Sequence, residues 1–180
     1  MAETKLQQYS VQEKLNKMDV DLIDVSINLD PSNTGAQADG DFLFVVTEVP
    51  NAVAVKGGTA LLHSASCIIT ASADGSETGN IDIVITSDST ALTDGSGALA
   101  DGSALNTATN VSAVMDGIAG TFSITNFIDM GVVSVGSQQN IGMVCKAASG
   151  SKSLYVFGIA RSTNDYEEGS AVLRLGFIKD

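Results

Sequence analysis

The chain has 180 residues, enough for one domain that buries its own core without metal or disulfide staples. Nine Lys and Arg stand against 21 Asp and Glu, a net charge of −12, which argues against a protein built to grip phosphate backbones or anionic lipid. Trp is absent and aromatics make up only 5%, so stacking platforms for single-stranded nucleic acid are missing too.

Residues 1–19 differ from everything after them. They hold Lys5, Lys14 and Lys17 beside Leu6, Tyr9, Val11 and Leu15, with no glycine. The apolar stripe is interrupted and uncapped, so this reads as an N-terminal arm, either a short helix or a segment that orders on a partner. It has no basic patch leading into an apolar stretch, and no run in the chain approaches the roughly 20 apolar residues of a membrane-spanning helix. The chain therefore reads as made in a cytoplasm, with no membrane and no nucleic acid as partner.

From residue 20 the hydrophobic period switches to two. Ile23, Val25, Ile27 and Leu29 alternate with Asp24, Ser26 and Asn28, which predicts a half-buried strand over 22–30. Pro31-Ser32-Asn33-Thr34-Gly35 breaks it. The continuous run Phe42-Leu43-Phe44-Val45-Val46 predicts a strand buried on both faces or lying under an arm. Lys56-Gly57-Gly58 is a turn, followed by a long strand over 59–70 and another in which Ile81, Ile83 and Ile85 alternate with polar residues. Residues 87–117 show no sustained period, so a long, solvent-facing loop is expected there, with a single helical turn opening at Asn110. Strands resume at about 120–128, 140–147, 153–161 and 171–178. About eight short strands and almost no helix indicate an all-β fold, a jelly-roll-like β-sandwich behind the N-terminal arm. An immunoglobulin-like sandwich is the rival, weakened by the missing Trp. The domain division is an arm over 1–19 and a sandwich over 20–180.

The chemistry of catalysis is poorly provided for. His63 is the only histidine. On regular alternation it shares a strand face with Cys67, but i and i+4 in a strand lie about 13 Å apart, too far to hold one zinc ion. There is no G-x-S-x-G elbow for a serine nucleophile. Cys67 and Cys145 form no CxxC pair and sit in apolar runs, the setting of small buried thiols. The Asp-Gly-Ser triplets at 74–76, 94–96 and 101–103 match neither an EF-hand nor a glycine-rich calcium repeat, and Asp-Gly makes tight turns in any case. The expectation is a non-enzymatic structural or binding module with no cofactor and no metal.

Two segments carry a resemblance. Thr47-Glu48-Val49-Pro50-Asn51 through Lys56-Gly57-Gly58-Thr59 to Ser64, and Gly142-Met143-Val144-Cys145-Lys146-Ala147-Ala148-Ser149-Gly150 to Val156 with Leu173-Arg174-Leu175-Gly176 beyond, resemble small virion structural proteins of tailed bacteriophages, particularly those of cyanobacteria and marine bacteria. The resemblance covers roughly 40–65 and 140–178 and leaves the middle out. It implies a capsid cement or decoration protein on the capsid exterior, with the major capsid protein as partner and no catalytic residues to carry over. The charge agrees, since an acidic protein is repelled by packaged DNA inside the shell. A homotrimer is expected, with the apolar runs 42–46 and 154–159 as its interface. Leu6, Tyr9, Val11, Lys14, Leu15 and Lys17 of the arm are the candidate capsid contacts, because they offer apolar anchors and cations that the acidic body lacks. The alternative is a head-fibre or tail-fibre domain that recognises host glycans.

Overall fold

A computed structural model of the chain describes residues 20–29, 38–70, 79–99, 103–112, 116–131, 133–161 and 169–179. Nine strands are present among them: β1 (Val20–Leu29), β2 (Phe42–Val49), β3 (Thr59–Thr70), β4 (Ile81–Thr86), β5 (Ile118–Ile124), β6 (Phe127–Asp129), β7 (Val133–Lys146), β8 (Leu154–Ala160) and β9 (Gly169–Lys179). They form a five-stranded sheet, β1-β9-β3-β7-β6, and a four-stranded sheet, β2-β8-β4-β5. Every pairing is antiparallel.

The pairing is nested. β1 pairs with β9, β2 with β8, β3 with β7 and β4 with β5, so the chain is one long hairpin whose arms run together from the tip to the termini. Rolling it up makes β9 meet β3 and β8 meet β4, and successive rungs fall on opposite sheets. That is the jelly roll, and it decides against the immunoglobulin arrangement.

Inner faces follow the period-two pattern. Val25 and Ile27 of β1, Ile81, Ile83 and Ile85 of β4, and Leu173, Leu175 and Phe177 of β9 all lie in one core between the sheets. Two departures from regular alternation matter. In β3, Ala60 and Leu62 are buried, and then Ala65, Cys67 and Ile69. The odd interval from 62 to 65 is a β-bulge between Leu62 and Ser64, seen against both β7 and β9. It turns His63 to the outer face while Cys67 stays inside, so the two do not share a face as regular alternation predicts. The strand expected over 120–128 is two strands: β5 pairs with β4 in one sheet and β6 with β7 in the other, the chain changing sheets at Thr125-Asn126.

The largest correction concerns 87–117. Its described residues are a cover, not a free loop. Leu92 and Leu99 are buried, and with Leu105 and Ala108 they pack on Phe42, Val46, Val84, Phe157 and Ile159, the outer face of the four-stranded sheet. Phe42 and Phe157 lie with ring centroids 5.5 Å apart at 49°. The cover is pinned by backbone bonds: the Leu99 amide donates to the Leu92 carbonyl (2.7 Å), Thr109 to Thr93 (2.7 Å), Phe42 to Ser103 (2.9 Å) and Leu105 to Gly40 (3.1 Å). Asn110 precedes the helical residues Val111 and Ser112, and its side chain ties loop to loop, accepting from the Thr93 amide and donating to the Ala91 carbonyl. Asp94 accepts from the Ser96 and Gly97 amides, which is turn chemistry, and those bonds hold its carboxyl below the usual range. Of the other two Asp-Gly-Ser triplets, residues 74–76 and 101–102 lie outside the described residues.

This cover explains why 42–46 reads as apolar without a break. It also takes most of the expected subunit interface out of reach: Phe42, Leu43, Phe44, Leu154, Val156, Phe157 and Ile159 are buried within the chain itself, and Val45 alone of the run 42–46 is exposed.

Candidate functional site

The six candidate capsid contacts, Leu6, Tyr9, Val11, Lys14, Leu15 and Lys17, lie outside the described residues. The chain enters the described part at Val20, the first residue of edge strand β1.

The segments that carry the phage resemblance do meet. Residues 47–64 run from β2 through the 50–58 turn into β3, and 142–156 run from β7 through the 147–153 turn into β8. The two turns interlock at one end of the sandwich. The Val53 amide donates to the Lys152 carbonyl (3.2 Å), Gly57 to Ser151 (2.8 Å) and Ala147 to Gly58 (3.0 Å). The Ser153 hydroxyl donates to the Glu48 carboxylate (2.6 Å). Ala52, Val53 and Ala147 are buried beneath. Gly57 takes φ +69° over the backbone of Ser149, a conformation that suits glycine and lets the turns close on each other.

Beside this knot runs a shallow groove, in two contiguous parts of about 500 and 380 Å³. Ser87, Asp88, Asp116 and Tyr155 line the larger part, with Lys146 and Val144 on the smaller. Asp88 is engaged locally, accepting from the amide and hydroxyl of Thr90. The groove holds no imidazole. Among the described residues no three His, Cys, Asp or Glu side chains converge as a metal site would require. Both cysteines are free and buried. Cys145 faces Ala60 across the β3–β7 ladder and Cys67 faces Gly136, seven residues along β3 and far beyond disulfide reach. Burial pushes the Cys67 thiol up to about 12 and the Cys145 thiol up to about 11, so neither supplies a thiolate near neutral pH.

The outer face of the five-stranded sheet is the second candidate surface. Strand register lays its side chains in rows across the strands. One row is Val144–Leu61–Ile178–Val20, and another is Ile128–Val135–Ile68–Val172, which ends at Ser26. Between them lie Gln139–Ser64–Gly176–Leu22 and Ser137–Ser66–Arg174–Asp24. Arg174 grips Asp24 with two bonds, of 2.6 and 2.8 Å, and holds its carboxyl below the usual carboxylate range. At Gly176 an added Cβ would meet the Ser64 hydroxyl at 2.4 Å and Val20 at 3.0 Å, so the missing side chain is what lets Val20 and Leu22 lie down over β9. Leu22, Val144 and Ile128 remain 63%, 67% and 66% exposed. Sequence carried this signal in β9, where Val172 and Ile178 are apolar on the face opposite Leu173, Leu175 and Phe177. A strand apolar on both sides has two covers to find.

No protein-family model matches the chain, and no curated protein matches its sequence. Among solved structures it is similar to the tomato aspermy virus structure (8% identity, 97% of this chain and 95% of that chain, TM-score 0.33). It is similar to the capsid of cyanophage Pam1 (10% identity, 89% and 85% covered, TM-score 0.32) and to the EclA C-terminal domain, a sugar-binding protein (9% identity, 87% and 79% covered, TM-score 0.31). Likenesses this distant carry no functional assignment.

Proposed function

We propose that the protein is a structural component of a phage virion, a cement or decoration protein that binds the outer surface of the major capsid lattice and stabilises it. The observation that carries the reading is the meeting of the two resembling segments. Residues 47–64 and 142–156 are distant in sequence, yet they build one interlocked end of the sandwich, so the resemblance concerns a folded unit and not two separate strings. The composition supports the exterior: the three basic and three acidic residues of 1–19 cancel, which leaves the whole −12 on 20–180 and disfavours a place against packaged DNA. In this reading copies associate as a homotrimer on the lattice, and the arm supplies the capsid contacts through Leu6, Tyr9, Val11, Lys14, Leu15 and Lys17. Ordering the arm costs roughly 1–2 kcal/mol per residue. Buried side chains at about 1.5–3 kcal/mol each offset part of that, and many copies on one shell supply the rest by avidity.

The test is whether the protein co-purifies with density-banded virions, and whether full-length protein carrying Leu6→Ser, Tyr9→Ser and Leu15→Ser decorates stripped shells. Presence in virions and loss of decoration with an unchanged melt are expected. A protein found only in the soluble lysate sinks the virion role, and full decoration by the triple variant sinks the docking arm. The groove gives the glycan-binding alternative its foothold, because Tyr155 stands there beside Asp88 and Asp116. Glycan-array binding lost on Tyr155→Ala would favour that alternative.

A further inference from the structure

We infer that the outer face of the five-stranded sheet, left without a cover among the described residues, is the surface on which a second copy of this chain docks. This deepens the self-association in the reading above by naming its surface, and it places that surface on the sheet opposite to the one the sequence points to. The four rows described above carry two apolar stripes with Leu22 between them, and the most exposed apolar side chains of the rows are Leu22, Val144 and Ile128.

Charge selects the occupant. Residues 20–180 hold the entire −12, so two copies repel each other over most of their surfaces. On the four rows the charged side chains are Asp24 and Arg174, and they neutralise each other at 2.6 Å. Like-charged copies can meet here without juxtaposing carboxylates. A partner chosen for charge complementarity would instead be basic, and these rows offer it no excess negative charge. The size fits as well. Five strands at about 4.8 Å spacing and the span from Leu61 to Ile68 give a footprint on the order of 600 Å² per copy. Doubled, that is about 1,200 Å², at the lower bound of stable interfaces. Self-association on this face is therefore concentration-dependent.

The experiment is sedimentation velocity on the full-length protein from about 1 to 200 μM, with wild type, Leu22→Asp/Val144→Asp, the milder Leu22→Ser/Val144→Thr, and Val55→Asp. Val55 is 62% exposed but lies in the 50–58 turn, outside the four rows. Wild type and Val55→Asp are expected to form a discrete oligomer, the Asp pair to stay monomeric, and the Ser/Thr pair to need at least tenfold more protein to associate. Far-UV circular dichroism accompanies each. If the Asp pair misfolds, the Ser/Thr pair decides. A discrete oligomer of two copies would set aside the trimer but keep this face. A wild type that stays monomeric at 200 μM overturns the proposal, and so does an oligomer that both face variants leave intact. In a monomer, shielding of the Leu22 and Val144 methyl groups from a soluble paramagnetic probe would assign the face to residues 1–19 of the same chain. Shielding only on shells would assign it to the capsid. Either result overturns the second copy. Loss of self-association in these variants leaves the virion test unaffected, so the two readings fail separately.

Discussion

The two outer faces of the sandwich begin from the same material and end differently. Each is a run of antiparallel strands with apolar residues on both sides. On the four-stranded sheet, Phe42, Val84, Phe157 and Ile159 are covered by the chain's own Leu92 and Leu99. On the five-stranded sheet, Leu22, Val144 and Ile128 have no such cover among the described residues. A face the chain covers for itself contributes to folding. A face left apolar in water is a surface whose free energy is still to be gained by association. Apolar residues on the outer faces of the two sheets are thus not one class, and substituting them should have opposite signatures.

The largest effect is expected at the centre of the covered face. Phe42→Ala removes a ring that is 1% exposed and packs against Phe157, and should cost about 3–5 kcal/mol in urea unfolding. A loss below 1 kcal/mol would mean the cover is not packed as described. Next is the cover itself. Leu99→Ala, from a side chain 5% exposed, should cost about 2–3 kcal/mol. Hydrogen exchange should accelerate over 88–112 while β3 and β9 keep their protection. If β9 loosened together with 88–112, the two faces would not be separable.

On the bare face, Leu22→Ser should change monomer stability by no more than about 0.5 kcal/mol, measured well below the association range. A cost near that of Leu99→Ala would show that Leu22 is already covered and would erase the contrast. The smallest effect is the pH dependence of the Asp24–Arg174 pair. Arg174 lowers the folded pKa of Asp24, so the pair's contribution is complete above 3.8 and is lost as pH falls through the lower folded value. Both side chains are largely exposed, and solvent screens the pair. Asp24→Asn should lower the urea midpoint slightly at pH 7 and meet the wild type in acid, so that the acid limb of the profile is slightly flatter. A change at pH 7 as large as that from Leu99→Ala would mean the pair holds the strands together.

Much of the sandwich was legible because alternation is a direct consequence of the pleat. Thr59–Thr70 is the predicted strand residue for residue, and Ile81, Ile83 and Ile85 point inward as their spacing requires. What failed, failed locally. β7 begins at Val133 and not near 140, because Gly136 through Asn140 contains no apolar side chain to reveal a strand paired on its backbone alone. The bulge at His63 leaves no trace in composition, since one extra residue changes parity and nothing else. The cover was missed because Leu92 and Leu99 are isolated among Ser, Thr, Asp and Gly and belong to no period. Their burial depends on bonds such as Thr109 to Thr93, which only the folded chain forms. Of the candidate contacts, the six arm residues fall outside the described part. The rows on the five-stranded sheet need register across β1, β9, β3, β7 and β6, and no single strand encodes register with its neighbours.

The nested pairing has a consequence for synthesis. Among the described strands β1 is the first to leave the ribosome, and its one partner in the sheet is β9, the last. At roughly 5–20 residues per second the start of the chain waits on the order of ten seconds or more for its end. During that wait the β4–β5 hairpin at the tip can form, and β3 can receive β7, but the edges of β1 and β2 stay open. Assembly from the tip outward makes this a slow folder of high contact order, exposed throughout translation to pairing with other nascent chains. The abundance of negative charge in the first half is then a protection for the polysome as much as a property of the finished protein.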